Sequence, residues 1–267
     1  MNHWLEIEGA TWRLGLWLGA LVLMGLLEQA LPRRNEPLRR SMRWPANIGL
    51  VVISSVIGAL LPFTALMTAL WADRHQLGLM NAISLSPLVA VPIAWLLLDA
   101  AIYWQHRWMH TIPLLWRLHR VHHSDTAFDA STALRFHPLE ILLSLLYKCA
   151  LIIALGAPPL AVFLFEVLLS GAALFNHANL RLRGDAWLRR VIVTPDMHRI
   201  HHSVHRAETD SNYANVLSLW DRLFRSYTPQ PRDGQTRMQI GLEEFRGDDQ
   251  QTLPSLLRQP QKNPHRV

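Results

Sequence analysis

Eight histidines stand in three clusters, His106/His110, His119/His122/His123 and His198/His201/His202. His106-Arg-Trp-Met-His110 separates two imidazoles by four residues, which on an α-helix means one face and about 6 Å of axial rise. His119-Arg-Val-His122-His123 offers positions i, i+3 and i+4, so its rings share a stripe that can serve one metal or straddle two. The pattern recurs at His198-Arg-Ile-His201-His202, and each triplet is followed by serine, so HRVHHS and HRIHHS differ by one Val/Ile exchange. A metal ion takes about four to six ligands, so eight imidazoles point to a dinuclear site. Imidazole suits iron, zinc and copper alike, and spacing leaves the metal open. An interfacial basic surface would not require the repeated spacing.

Other residues have either a functional or a structural reading. His137, in Phe-His-Pro-Leu-Glu, and His177, in Phe-Asn-His-Ala-Asn, stand at the two ends of a long apolar stretch, as ligands or as hydrogen-bonded structural residues. His205 reads as a ligand, a hydrogen-bond partner of the ligands or a surface group. Asp99 and Tyr103 precede His106 and His110 on one helix face, and a carboxylate there is costly near lipid, so the pair reads as a supporting layer or polar pocket leading to the metals, or Asp99 as a carboxylate satisfied by a neighbouring helix.

The elements that must position these groups are apolar. Half of the 267 residues are hydrophobic and 17% are charged, a balance unlike that of soluble domains. Apolar runs cover roughly Trp12 to Leu31, Ile48 to Trp71 and Leu88 to Trp104, long enough for a hydrocarbon layer of about 30 Å. A fourth stretch, Ile141 to Phe175, is interrupted at Gly156-Ala157-Pro158-Pro159 and reads as a hairpin of two short spans. The expectation is an all-α, multi-pass bundle whose first run is retained as an anchor rather than cleaved. Cys149 is the single cysteine, which excludes disulfide frameworks and thiolate metal sites. The net charge of +6 comes from arginines beside the spans, which favours anionic lipid over nucleic acid as the counter-charge.

Orientation follows from the loop Pro32 to Pro45, where Arg33, Arg34, Arg39, Arg40 and Arg43 face one acid, Glu36. Basic loops stay in the cytoplasm, so the N-terminus is outside and segments 105–140 and 177–267 share the cytoplasmic side. Twelve of the fourteen histidines lie in those two segments. A cytoplasmic helical cap carrying the metal site follows.

The order HRWMH, LHRVHHS, FHPLE, NHAN and MHRIHHS, followed by Glu208-Thr-Asp210-Ser-Asn212-Tyr213 and Leu219-Trp-Asp-Arg-Leu-Phe224, resembles the fatty acid hydroxylase superfamily, or sterol desaturase family, of integral-membrane di-iron enzymes. The resemblance covers about residues 95 to 228. It implies that the clustered histidines bind two irons, that O2 is activated there, and that a lipid C–H bond, sterol-like or fatty acyl, is hydroxylated or desaturated. It adds His177 as a further ligand, leaves His137 open, and places Asp210 and Asn212 beside the centre. Two departures are Ala214 and Arg225, where the family commonly has glycine. A single histidine, His177, near the second half of the hairpin tilts the resemblance toward the sterol-desaturase-like branch.

The implied organisation is anchor spans in 1–94, a catalytic domain in 95–228 and a polar, loosely ordered cytoplasmic tail in 229–267. No electron-donor domain is expected within the chain, so a separate ferredoxin or cytochrome b5-like protein with its reductase would supply electrons. The competing classes are a histidine-rich metal-handling membrane protein and a zinc hydrolase. The first wants polar residues threaded through several spans, and the second wants a general base that no HExxH-like pairing supplies. The location expected is a bacterial inner membrane.

Overall fold

The computed structural model describes residues 2–35 and 39–263; Glu36, the acid counted in the basic loop, and His265 lie outside them. Helix α1 (Asn2–Ala30) leads to α2 (Arg40–Ala59), α3 (Ala65–Arg74), the single turn α4 (Leu79–Ala82), α5 (Pro87–Thr111) and α6 (Pro113–His123). Next come α7 (Pro138–Leu155) and α8 (Pro159–His177). Short helices α9 (Asp185–Leu188), α10 (Pro195–His201), α11 (Arg206–Thr209), α12 (Leu219–Leu223) and α13 (Leu253–Arg258) follow. Only isolated β-bridges occur among the described residues.

Five helices, α1, α2, α5, α7 and α8, are long and apolar enough to cross a membrane. Helices dominate such runs because hydrocarbon offers no partner to backbone N–H and C=O groups. Large apolar side chains remain outward-facing along these helices, including Leu18, Val22, Val52, Val56, Leu143 and Leu168, an arrangement that suits lipid as the surrounding solvent. The hairpin turns at the expected place: Gly156 adopts φ +63° at the end of α7 and Pro159 opens α8. Gly78 (φ +88°) sits directly against the backbone of Gly156, and a Cβ on Gly78 would collide with it. Two glycines therefore let the loop before α4 close onto the hairpin tip.

The run Ile48 to Trp71 is not one span. Helix α2 stops at Ala59, and Thr64 caps a new helix by accepting from the Met67 amide at 3.2 Å. Pro62, between them, has no amide donor to continue the ladder. The ten residues of α3, about 15 Å of helix, are too short to cross, and α3 packs its buried face on α7 and α8. The third run extends further than its hydropathy, because α5 continues through His106 and His110.

The ends of α1, α5 and α8 and the start of α2 and α7 meet in one cap. Three arginines of the 32–45 loop find acidic partners within the protein. Arg33 pairs with Asp196 at 3.0 Å, Arg39 with Asp248 at 2.5 Å, and Arg40 with Glu28 at 3.2 Å. The tail is not loosely ordered. Met238, Ile240 and Leu256 are buried, and α13 packs on α2. Gln251, also buried, donates to the Ser124 and Phe245 carbonyls and accepts from Arg135. A few apolar anchors spaced along a polar segment sufficed to order it, and a composition average hides them.

Candidate metal centre

The final turns of α5 carry His106 and His110. After the Ile112–Pro113 junction, α6 reverses and presents His119, His122 and His123; α8 contributes its last residue, His177, and α10 contributes His198 and His201, with His202 just past its end. Pro113 and Pro195 each occupy the first turn of their helix, where a missing amide costs nothing. These nine rings form two adjoining sets, His106/His110/His119/His123/His201 and His122/His177/His198/His202, and within each the ligand atoms all lie within 4.8 Å of one another. Each triplet straddles the sets: His119 and His123 join one and His122 the other, while His201 joins one and His198 and His202 the other.

The nitrogens fit a metal. In the first set, Nε2 of His106 is 3.1 Å from His119 Nε2 and 3.0 Å from His201 Nε2, and His123 Nε2 is 3.2 Å from His119 Nε2. In the second, His177 Nε2 lies 3.0 Å from both His122 and His198 Nε2 and 3.2 Å from His202 Nε2. With a metal–nitrogen bond of about 2.1 Å, nitrogens at right angles are about 3.0 Å apart and nitrogens at a tetrahedral angle about 3.4 Å. His110 Nε2 is buried with no hydrogen-bond partner among the described residues, the state of a nitrogen reserved for a ligand bond.

The opposite ring nitrogens fix this aim. His106 Nδ1 is 2.7 Å from the Tyr213 carbonyl, His177 Nδ1 2.7 Å from the Ala173 carbonyl and His201 Nδ1 2.6 Å from the Ser211 carbonyl. His119 Nδ1 meets Glu140 at 2.6 Å and His110 Nδ1 meets Asp210 at 3.2 Å. Each Nδ1–H donates outward, which leaves Nε2 unprotonated and pointed into the site. Burial and repulsion from neighbouring rings hold His122, His123, His198 and His202 well below the ordinary imidazole range. Burial likewise pushes His201 down to about 3. These five rings are neutral at physiological pH, the form that coordinates.

Glu140 is the residue that the sequence reading passed over. It closes the FHPLE motif, and the signal available was a carboxylate three residues after a histidine at a helix start. Glu140→Gln is expected to weaken metal retention about 10–100-fold, read by metal analysis after dialysis against a chelator. Unchanged retention would make Glu140 a packing residue.

His137 does not join the sets. Its ring caps α7, with Nδ1 accepting from the Leu139 amide at 3.2 Å and Nε2 3.3 Å from the Leu257 carbonyl. Asp99 is not a route to the centre: it accepts from Trp220 Nε1 at 2.7 Å and the Leu217 amide at 3.2 Å, docking the 217–220 segment on α5. Tyr103 is one layer removed, hydrogen bonded to Ser226 at 2.8 Å and packed edge-on to Tyr213, whose ring touches His106, His110 and His201. His205 pairs with Asp233 at the rim. Asp210 holds His110 as described, whereas Asn212 (φ +51°) ties the Met197 and Thr228 backbones together. Arg225 takes φ +59° where the family commonly has glycine, so the turn is kept at a local strain of about 1 kcal/mol.

Below the rings a cavity of about 470 Å³ descends between α1, α5, α7 and α8. Ile102, Met109, Phe136, Leu145, Leu169 and Leu174 line it, and His106, His119, His122, His177 and His198 form its ceiling. The centre thus faces an apolar chamber inside the bundle.

The sequence is similar to those of known proteins. Residues 91–226 match the family model described as fatty acid hydroxylase. An alkylglycerol monooxygenase from Danio rerio is 33% identical over 138 residues, covering 52% of this chain and 30% of the relative. An ornithine lipid hydroxylase, OlsE, from Rhizobium tropici is 26% identical over 242 residues, covering 84% of this chain and 70% of the relative. A cholesterol 25-hydroxylase from Rattus norvegicus is 29% identical over 163 residues, with 57% and 52% covered. The chain spans about a third of the length of the alkylglycerol monooxygenases it matches. No solved structure matches it. The matched segment contains the nine converging histidines, Glu140 and the helices that carry them, and the chain belongs to the fatty acid hydroxylase family.

Proposed function

We propose that this chain is an O2-dependent di-iron oxidoreductase of a lipid, sterol-like or fatty acyl, acting on an unactivated C–H bond. The observation that carries the reading is the pair of converging all-imidazole sets at the ceiling of an apolar chamber within a membrane bundle. Five nitrogens in one set exceed the four of structural zinc and favour iron. The relatives carry the names monooxygenase or hydroxylase, which favours oxygen insertion over desaturation.

Iron held by His106, His110, His119, His123 and His201 and by His122, His177, His198 and His202 would supply the reduction of O2 and the oxidant for the C–H bond. The chain's own groups do the rest. Glu140, Asp210 and three backbone carbonyls keep the rings oriented; Met109, Phe136 and Leu174 exclude water from the reacting carbon; the chamber holds the lipid. Electrons come from a separate donor, ferredoxin or cytochrome b5-like. The cap faces the cytoplasm of a bacterial inner membrane, supported by the surplus of arginine in the 32–45 loop. A metal-transport reading fares worse, because Arg13 and Lys148 in the bundle would repel a passing cation.

Anaerobic purification after iron-supplemented expression is expected to yield close to two irons per chain. O2 consumption should then depend on reductant and a lipid extract and generate a hydroxylated lipid. Stoichiometric zinc with no oxygen-dependent product would sink the reading.

A further inference from the structure

The far end of the chamber holds charges that the oxygen chemistry does not use. Arg13 on α1 lies 2.5 Å from Glu166 on α8, and Lys148 on α7 lies 3.1 Å from the other oxygen of the same carboxylate. All three line the chamber. Lys148 and Glu166 fall near the middle of their helices, hence near the middle of the bilayer, where ionised groups are rare and costly and mark sites of function. The formal charge of the trio is two positive against one negative. Its Lys148 ammonium donates one hydrogen bond among the described residues, to Glu166.

A second cavity, of about 730 Å³, between α1, α2 and α8 shares Arg13, Trp17, Glu166 and Ser170 with the chamber. Arg13 and Glu166 therefore stand where a groove on the bundle's side meets the chamber beneath the histidines, with Lys148 on the chamber side of that junction. A lipid entering sideways passes it.

We propose that Lys148 and Arg13 bind the anionic group, carboxylate or phosphate, of an amphiphilic substrate whose alkyl chain extends up the chamber to the histidine ceiling. One anion would bring the trio to neutrality in a medium of low dielectric, where an unmatched charge costs most. The hydrogen-bonding capacity of Lys148 beyond Glu166 would be filled by the same group. This deepens the lipid-oxidation reading and rests on it for the identity of the ligand as substrate.

The geometry also sets a ruler. Lys148 lies eight residues below Glu140 on α7, and Glu166 eleven residues below His177 on α8, or about 12 and 16 Å of helix. An extended alkyl chain advances about 1.25 Å per carbon, from C–C bonds of about 1.5 Å at tetrahedral angles. The reacting carbon is therefore about ten to thirteen carbons from the anion.

The test is equilibrium binding to the full chain in detergent without added iron, so that it stands whether or not the oxygenase reading does. The probes are hexadecanoate, hexadecyl phosphate and the neutral methyl hexadecanoate. At least one anion should bind tenfold or more tightly than the ester, and the tighter one identifies the headgroup class. Lys148→Met should bring anion binding down to the level of the ester while ester binding is unchanged, and Lys148→Arg should restore most of the difference. Equal binding of anion and ester to the wild-type chain would overturn the proposal. So would a Lys148→Met variant that loses both in proportion, since that reports a structural charge cluster.

Discussion

Replacing His122 or His201 by alanine is expected to lower oxygen-dependent lipid product more than about a hundredfold, because loss of even an outlying partner of a metal ligand costs about 10–100-fold. The two variants should differ in metal content. The set containing His122 has four nitrogens and that containing His201 has five. His122→Ala leaves three and should release its metal, whereas His201→Ala leaves four and should retain more. Metal analysis on protein of unchanged membrane insertion and elution volume checks both. Wild-type turnover in either variant would remove its set from the required centre.

Arg43→Met is expected to destabilise the cap by about 3–5 kcal/mol, the range for removing one member of a buried ion pair. Arg43 is fully buried and grips Asp125 through two contacts, Nε to Oδ1 at 2.5 Å and Nη2 to Oδ2 at 2.7 Å, while Nη1 reaches Asp129 at 3.1 Å. Asp125 follows the first histidine triplet by two residues, so this grip locks α6 onto α2. Without it two carboxylates lose their shared cation in a dry interior. Thermal unfolding in detergent should show the loss, Arg43→Lys should give a smaller one for want of the planar fork, and Asp125→Asn added to Arg43→Met should recover part of it. Equal stability of Arg43→Met and wild type would show that the network contributes nothing net.

The same pair gives a pH signature. Burial alone would raise the Asp125 carboxyl, but Arg43 and Arg135 overcome it and hold it at about 2, against about 3.9 in an unfolded chain. A depressed folded value means stability that is complete above about 4 and is lost as pH falls toward 2. The Arg43→Met variant should show less of this acid sensitivity.

Much of the site was legible before any coordinates. The i, i+3, i+4 spacing fixed which rings share a helix face, and the duplicated HRxHHS marked both triplets as one device. The apolar runs placed the histidine segments on one side of a bundle, and Gly156 with Pro158 and Pro159 marked the hairpin tip. These are local properties, carried by period, length and the missing amide of proline.

What tertiary structure decided is which groups meet. The sequence could not divide nine imidazoles into sets of five and four, since that depends on how α6 and α10 lie against α5 and α8. It could not give Glu140 to His119, twenty-one residues away, or remove Asp99 to Trp220 and His137 to an α7 cap. It counted the 32–45 arginines as loop charge, whereas folding pairs Arg33 with Asp196, Arg39 with Asp248, Arg40 with Glu28 and Arg43 with Asp125 and Asp129. Ligand type and spacing are written along the helix, but the partner of a buried polar group is whichever one the packing brings within about 3 Å, and that is a property of the assembled bundle.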